Sequence, residues 1–276
     1  MEKSIKKPDG FRTVHYTVGS KRIPKGFDGY RIAHLSDLHG QAYGRDNKTL
    51  VSKICGLKPD MIAMTGDMAD QGKESIQGLI HLSRRLGRLC PVYYIPGNHE
   101  QELPARVYAG LAGELRKAGV TVLENQKYTI SKEDALLKLY GLVMPLPYYK
   151  DPRSKDYVRG IHFSRENARE LLGNADPGCC NILLAHNPLY YPSYRDWGAD
   201  LTLSGHIHGG IIRIPGLGGV LSPDVTLFPK YDGGHFEEKG KHLIVSRGLG
   251  NHFLVRVLNP PELVCITLRH HDNENR

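Results

Sequence analysis

Asp37-Leu38-His39, Gly66-Asp67-Met68-Ala69-Asp70, Gly97-Asn98-His99-Glu100, Ala185-His186-Asn187 and Gly205-His206-Ile207-His208 follow one another along a chain of 276 residues. They offer carboxylates, an amide and imidazoles, a donor set that suits divalent transition metals. Two such ions side by side suit phosphate ester chemistry. Each cluster directly follows a short apolar run. Asp37 and His39 are two apart, as are His206 and His208, so in extended backbone each pair points to one side. Taken singly the clusters are weak: Asp-x-His arises by chance, Gly97-Asn98 reads as a turn, and one histidine after a buried strand is usually structural. Their recurrence after five successive apolar runs is what chance does not supply.

The elements that must position these clusters are legible from periodicity. Strand-like runs fall at 30–35, 61–65, 92–95, 135–142, 181–185, 200–203, 243–246 and 263–268. Helical patterns fall at 47–56, 74–89, 104–118 and 164–172, the last with Ser164 as N-cap and Asn167 three residues on. The first three strands alternate with helices, the signature of a sheet covered on both faces. The later part is richer in strands and turns, which predicts a second sheet. The expected fold is α/β: a two-sheet mixed β-sandwich flanked by helices, its polar clusters at the carboxyl ends of strands, where open α/β sheets place their sites. Residues 1–29 read as a basic N-terminal segment and 30–276 as a single domain. The irregular stretches 145–157 and 214–240 are candidate substrate walls, the alternative being surface excursions.

Composition, 40% apolar and 24% charged, is that of an ordinary globular protein. No run approaches the ~20 apolar residues of a membrane-spanning helix, and the basic N-terminus has no apolar core of the kind a secretory signal carries. Five cysteines without a CxxC spacing predict free thiols in a reducing compartment, hence a cytoplasmic location. The net charge of +8 favours anionic partners or serves solubility alone. Its densest cluster, Lys3, Lys6, Lys7, Lys21, Arg22 and Lys25, is a candidate for peripheral membrane-surface contact, the alternative being a solvated face.

The order Asp-x-His, Gly-Asp-x-x-Asp, Gly-Asn-His-Glu, His, Gly-His-x-His resembles the calcineurin-like metallophosphoesterase superfamily. The later segments Gly209-Gly210, Phe228-Pro229-Lys230-Tyr231, Ser246-Arg247-Gly248-Leu249-Gly250 and Asn259-Pro260-Pro261-Glu262 resemble its YkuE/YaeI-type branch of bacterial phosphodiesterases. The resemblance implies a metallophosphoesterase fold with a dinuclear site. One metal would be held by Asp37, His39, Asp67 and His208, the other by Asp67, Asn98, His186 and His206, with Asp67 bridging. Manganese, iron and zinc all suit that set. His99 would be the catalytic group facing substrate, and Asp70 would orient it or the local loop. The implied reaction is in-line attack of metal-activated hydroxide on the phosphorus of a phosphodiester or pyrophosphate, with His99 stabilising the transferring group or protonating the leaving oxygen. Members of this branch often carry an N-terminal export or membrane segment, and the basic N-terminus does not read as one.

The same core serves a phosphomonoesterase, including a protein phosphatase, and a nuclease. Nucleic acid is not favoured, because no basic stripe interleaved with aromatics is evident. A non-catalytic scaffold would not need the complete donor set. The expected partner is a phosphate-ester small molecule or a nucleotide-linked lipid, and no signal bears on oligomeric state. Tyr140, Tyr148, Tyr149 and Tyr157 are candidates to stack a base or sugar or to wall an apolar groove. Arg213 and Arg247 are candidate phosphate contacts, and His235 and His252 candidates to reach the pocket.

Overall fold

The computed structural model describes residues 10–149, 160–210, 212–214, 216–221, 227–250 and 256–271. Its strands are β1 (Arg12–Ser20), β2 (Arg31–Leu35), β3 (Met61–Met64), β4 (Val92–Tyr94), β5 (Val120–Val122), β6 (Gln126–Lys132), β7 (Ala135–Leu142), β8 (Cys180–Ala185), β9 (Leu201–Ser204), β10 (Arg213–Ile214), β11 (Gly218–Gly219), β12 (Gly234–Glu238), β13 (Lys241–Val245) and β14 (Glu262–His270). The helices are α1 (Lys48–Leu57), α2 (Lys73–Leu86), α3 (Asn98–Gln101), α4 (Ala105–Lys117), α5 (Arg165–Leu172) and α6 (Tyr191–Trp197). One sheet has the order β1-β14-β2-β3-β4-β5 and the other β12-β13-β9-β8-β7-β6, with β10 and β11 as a separate ribbon. Strands β2 to β5 are parallel, as are β13, β9, β8 and β7. Antiparallel β14, β12 and β6 make both sheets mixed.

The layers follow from strands that are apolar on both faces. Ile32, Met61, Ala63, Ile182, Leu184, Leu203 and Ile244 meet between the sheets. Their neighbours Ala33, Leu35, Ile62 and Met64 turn outward onto Leu50 and Ile54 of α1, Leu79 and Leu86 of α2, and Leu111 and Leu115 of α4. On the far side Leu183 and Ala185 pack on Ala168, Tyr191 and Tyr194 of α5 and α6. Such strands read as continuous apolar runs because neither face sees water. The expected two-sheet mixed sandwich flanked by helices is the fold, and each of its eight expected strands is present within a few residues.

Arg12–Ser20, taken from the sequence only as part of a basic terminus, is the outer strand of the first sheet, in parallel register with β14 from Arg12↔Glu262 to Ser20↔His270. Val18 of this strand enters the inter-sheet core and Tyr16 packs against it. That alternation with Thr17 and His15 is short, and flanking lysines and arginines mask it. Arg22, one of the cations of the basic N-terminal cluster, is held by Asp200 and by the carbonyls of Pro177 and Cys179. Lys3, Lys6, Lys7, Tyr157 and His252 lie outside the described residues. The α5 cap is as expected: Ser164 Oγ accepts from Asn167 N, and Asn167 Oδ1 accepts from Ser164 N. All five thiols are free. No described helix is long and apolar enough to cross a membrane.

Candidate metal centre

The turns after β2, β3, β4, β8 and β9 meet at one edge of the sandwich. Backbone bonds lace them together: Asp37 N donates to Gly66 O and His39 N to Asp67 O, both at 3.0 Å, and Gly205 N to His186 O at 3.0 Å. The sheets are joined by the amide of His206, which donates to Asp37 Oδ1 at 2.9 Å. Gly66 (φ +92°) lets the β3 and β4 turns touch, since a Cβ there would lie 2.5 Å from Gly97 N. Asp37, His39, Asp67, His206 and His208 all have left-handed backbone, with φ of 51°, 47°, 51°, 69° and 52°. Each such non-glycine residue costs on the order of 1–3 kcal/mol and persists only where the surroundings over-determine it.

Glu100 is the surrounding that holds two of these turns. Its buried carboxylate accepts from Asp67 N (2.8 Å), Met68 N (2.7 Å), Ala69 N (3.0 Å) and Gly97 N (2.9 Å). Burial pushes its carboxyl up, and the amides of Ala69 and Gly97 oppose that. Sequence reasoning assigned it no role; its place in Gly-Asn-His-Glu, three residues after a glycine N-cap, was the available signal.

The side chains converge from both sheets. Asp37, His39 and His208 bring one donor atom each within 4.8 Å of one another, and Asp67, His186 and His206 do the same. His186 Nδ1 donates to Thr65 O at 2.6 Å, which turns Nε2 toward Asp67 Oδ2 at 3.0 Å. His39 Nδ1 donates to Asp70 Oδ1 at 2.7 Å, which turns its Nε2 toward His208 Nε2 at 3.2 Å. An imidazole whose far nitrogen is tied to a carbonyl or carboxylate has its tautomer and orientation fixed, the usual support of a metal-ligating histidine. Asn98 Oδ1 is buried with no hydrogen-bond partner among the described residues, and the buried His186 Nε2 faces the carboxylates of Asp67 and Asp37. Both are lone-pair donors, so the residues present fit a divalent cation.

His99 stands apart from these two groups. Its Nδ1 is 3.2 Å from Asp70 Oδ1 and its Nε2 4.0 Å from Asp67 Oδ2, and its side chain keeps 23% of its surface exposed. Asp70 thus joins His99 to His39 and forms with them a third donor group. Burial pushes His99 down, but the Asp70 hydrogen bond and the charges of Asp67, Asp70 and Glu100 outweigh it and raise the imidazolium to about 9. The same two imidazoles outweigh the burial of Asp70 and hold its carboxyl well below the usual range. At Asp67, His186 outweighs burial and lowers the carboxyl, whereas burial wins at Asp37 and raises it.

The remaining expectations divide. Tyr149 borders the centre, its ring edge-on to His206 at 5.1 Å, with a buried hydroxyl that has no partner among the described residues. Tyr140 instead packs on Trp197, and Tyr148 on Phe163 and Tyr190. His235 bonds His242 at 3.0 Å. His34, read as packing, is buried against Thr65 Oγ1, and burial lowers it to about 3. Arg213 donates to Gly209 O at 2.9 Å and pairs with Asp232, and Arg247 faces Glu262. Arg256, which sequence reasoning missed, reaches His208 Nδ1 with its Nη2 at 3.2 Å; no local pattern announces it.

Residues 30–210 match the sequence profile of the calcineurin-like phosphoesterases. The chain is 32% identical to the metallophosphoesterase YkuE of Bacillus subtilis, over 95% of this chain and 87% of that protein. It is 26% identical to the UDP-2,3-diacylglucosamine pyrophosphatase LpxG of Chlamydia muridarum, over 89% and 86%, and 26% identical to the phosphodiesterase YaeI of Escherichia coli, over 87% and 82%. The chain belongs to the calcineurin-like phosphoesterase family and is a metal-dependent phosphoric ester hydrolase.

Proposed function

We propose that the protein hydrolyses a phosphodiester or a pyrophosphate at a dinuclear site. The observation that carries this is the pair of donor groups, Asp37–His39–His208 and Asp67–His186–His206, with Asn98 Oδ1 buried beside them and without a hydrogen-bond partner among the described residues. One ion would be held by Asp37, His39, Asp67 and His208, and the other by Asp67, Asn98, His186 and His206. Bound divalent cations, manganese, iron or zinc, would polarise a phosphoryl oxygen and supply a nucleophilic water at neutral pH.

The chain's own residues do the rest. His99, which Asp70 and the neighbouring carboxylates favour in its protonated form in the metal-free protein, stabilises the transferring group and gives a proton to the leaving oxygen, a contribution of about 10²–10⁴-fold. Asp70 is a positioning residue, since it touches His99 and His39 and lies behind them. Tyr149, whose burial keeps its hydroxyl protonated, is a donor for a phosphoryl oxygen.

The names of two relatives, a phosphodiesterase and a nucleotide-sugar pyrophosphatase, favour a diester or pyrophosphate over a monoester. They also favour a nucleotide-linked lipid among the small-molecule substrates. A manganese-supplemented panel of diester, monoester, nucleotide-sugar and nucleic-acid substrates tests the preference. Faster turnover of monoesters than of diesters would overturn it in favour of a phosphomonoesterase.

A further inference from the structure

Two prolines precede β14 and leave the chain at 260–261 without backbone N–H groups. The residue before them, Asn259, is buried, and its side chain supplies donors there instead. Nδ2 donates to His208 O and to Gly210 O, both at 2.6 Å. These partners fix the direction of the amide, because the reverse would set Oδ1 against two carbonyls. Oδ1 instead lies over Gly209, where a Cβ would come within 2.5 Å of it. One amide thus spans three successive residues of left-handed backbone, with φ of 52° at His208, 73° at Gly209 and 75° at Gly210. Glycine adopts that conformation freely. A histidine keeps it only where its surroundings hold it. Asn259 is itself fixed: Arg12 N donates to Pro261 O at 2.9 Å, Glu262 N donates to Gly248 O at 3.0 Å, and β14 runs between β1 and β2.

The hold bears on one donor group. His208 belongs with Asp37 and His39, and the same C-terminal part of the chain supports Asp37: Leu249 N donates to Ser36 O at 3.0 Å and Gly250 N to Asp37 O at 2.5 Å. Asp67 and His186 of the other group are held by Glu100 and by Thr65 O instead. Arg256 touches the His208 ring at Nδ1, but that bond cannot serve a loaded site. With Nε2 given to an ion, Nδ1 carries the ring proton and no longer accepts. A hold on the backbone does not depend on where the ring proton sits.

We propose that Asn259 is a positioning residue of the metal centre, fixing the His208 backbone so that its imidazole meets Asp37 and His39 round one ion. This role rests on the dinuclear reading, and it makes one ion depend on Asn259 and the other not. Asn181 provides a matched comparison. It is equally buried, and its Nδ2 also donates to two carbonyls, Asp176 O at 2.8 Å and Gly198 O at 3.2 Å. It stands near the start of β8, at the end of that strand away from His186. Truncating either asparagine leaves two carbonyls without their donor, and only Asn259 does so at the metal centre.

Manganese titration of the metal-free full chain by calorimetry, alongside its melting temperature, tests the role without recourse to turnover. The unaltered chain is expected to hold two ions. Asn259→Ala is expected to hold one of them about 10–100-fold more weakly and the other unchanged. Asn181→Ala is expected to lower the melting temperature to a similar degree yet to hold both ions as the unaltered chain does. Should Asn259→Ala not fold, Asn259→Ser, whose hydroxyl can donate to only one of the two carbonyls, is expected to weaken the same ion by less. Unchanged binding of both ions by a folded Asn259 variant, equal weakening of both ions, or the same loss in Asn181→Ala overturns the proposal. A chain that holds a single ion overturns the dinuclear reading instead. Asn259 then keeps its role if that ion weakens in Asn259→Ala and loses it if the ion does not.

Discussion

His39 Nε2 and His208 Nε2 face each other at 3.2 Å across the joint between the two sheets. The hydrogen bonds on either side give the pair a direction. A guanidinium can only donate, so Arg256 makes His208 Nδ1 the acceptor, and the ring proton sits on His208 Nε2. His39 has its own proton on Nδ1, given to Asp70, and accepts on Nε2. An ion taken by both Nε2 atoms must displace that proton to Nδ1 and turn Arg256 aside. Burial lowers His186, but Asp67 and Asp37 outweigh it and raise it to about 9, so metal uptake there is expected to release protons and to stabilise the fold, by about 2.7 kcal/mol at a free metal concentration of 100 Kd. Thermal melts with manganese, zinc or chelator, and proton release in weak buffer, measure this. A melting temperature indifferent to all three would contradict the assignment of Asp37, His39 and His208.

His99→Ala is expected to keep metal affinity while kcat falls about 10²–10⁴-fold, because the imidazole gives a proton and holds no ion. Asp67→Ala, by contrast, should lose metal and activity together. Asp70→Asn removes the carboxylate that raises His99, so the alkaline limb of the kcat profile should move to lower pH. Metal titration and a pH–rate profile of the three variants separate these roles. An unmoved limb in Asp70→Asn removes Asp70 from the positioning of His99.

The same pair sets a pH dependence of stability in the metal-free protein. His99 is raised to about 9, so its contribution is complete below its unfolded value of ~6.5 and is lost as pH rises toward 9. Asp70 is lowered, so its contribution is complete above its unfolded value of ~3.9 and is lost as pH falls. The stability difference between wild type and His99→Gln in chelator should therefore shrink from pH 6.5 to pH 9. Urea unfolding at both values measures it, and a difference that grows with pH goes against the His99–Asp70 coupling.

Glu100→Gln replaces a carboxylate that accepts four amides with a group whose NH₂ must face N–H donors. A loss of about 3 kcal/mol or more is expected, since hydrogen bonds to a charged acceptor are worth ~1.5–3 kcal/mol each and buried donors would be left unmet. Metal affinity should fall with it, because Asp67 and Asn98 lie on the turns it ties. Denaturant unfolding and manganese titration test both; a variant as stable as wild type would show that the turns hold without it.

The donors were legible because the chemistry of a metal centre restricts residue type, and because strands covered on both faces leave unbroken apolar runs that end in those donors. Periodicity likewise revealed the eight core strands and the α5 cap. It missed β1, whose alternation of Val14, Tyr16 and Val18 is diluted by polar neighbours, the short strands β5, β10 and β11, and the edge strands β6 and β12. Tertiary structure alone decided which nitrogen of each imidazole turns inward. That depends on Thr65 O, Asp70 and Arg256, which lie 121, 31 and 48 residues from the rings they orient. It also decided that Glu100, unremarkable in the chain, ties two turns. A sequence specifies which groups are available. Their direction and company are set by contacts distant along the chain, which exist only once the sheets have packed.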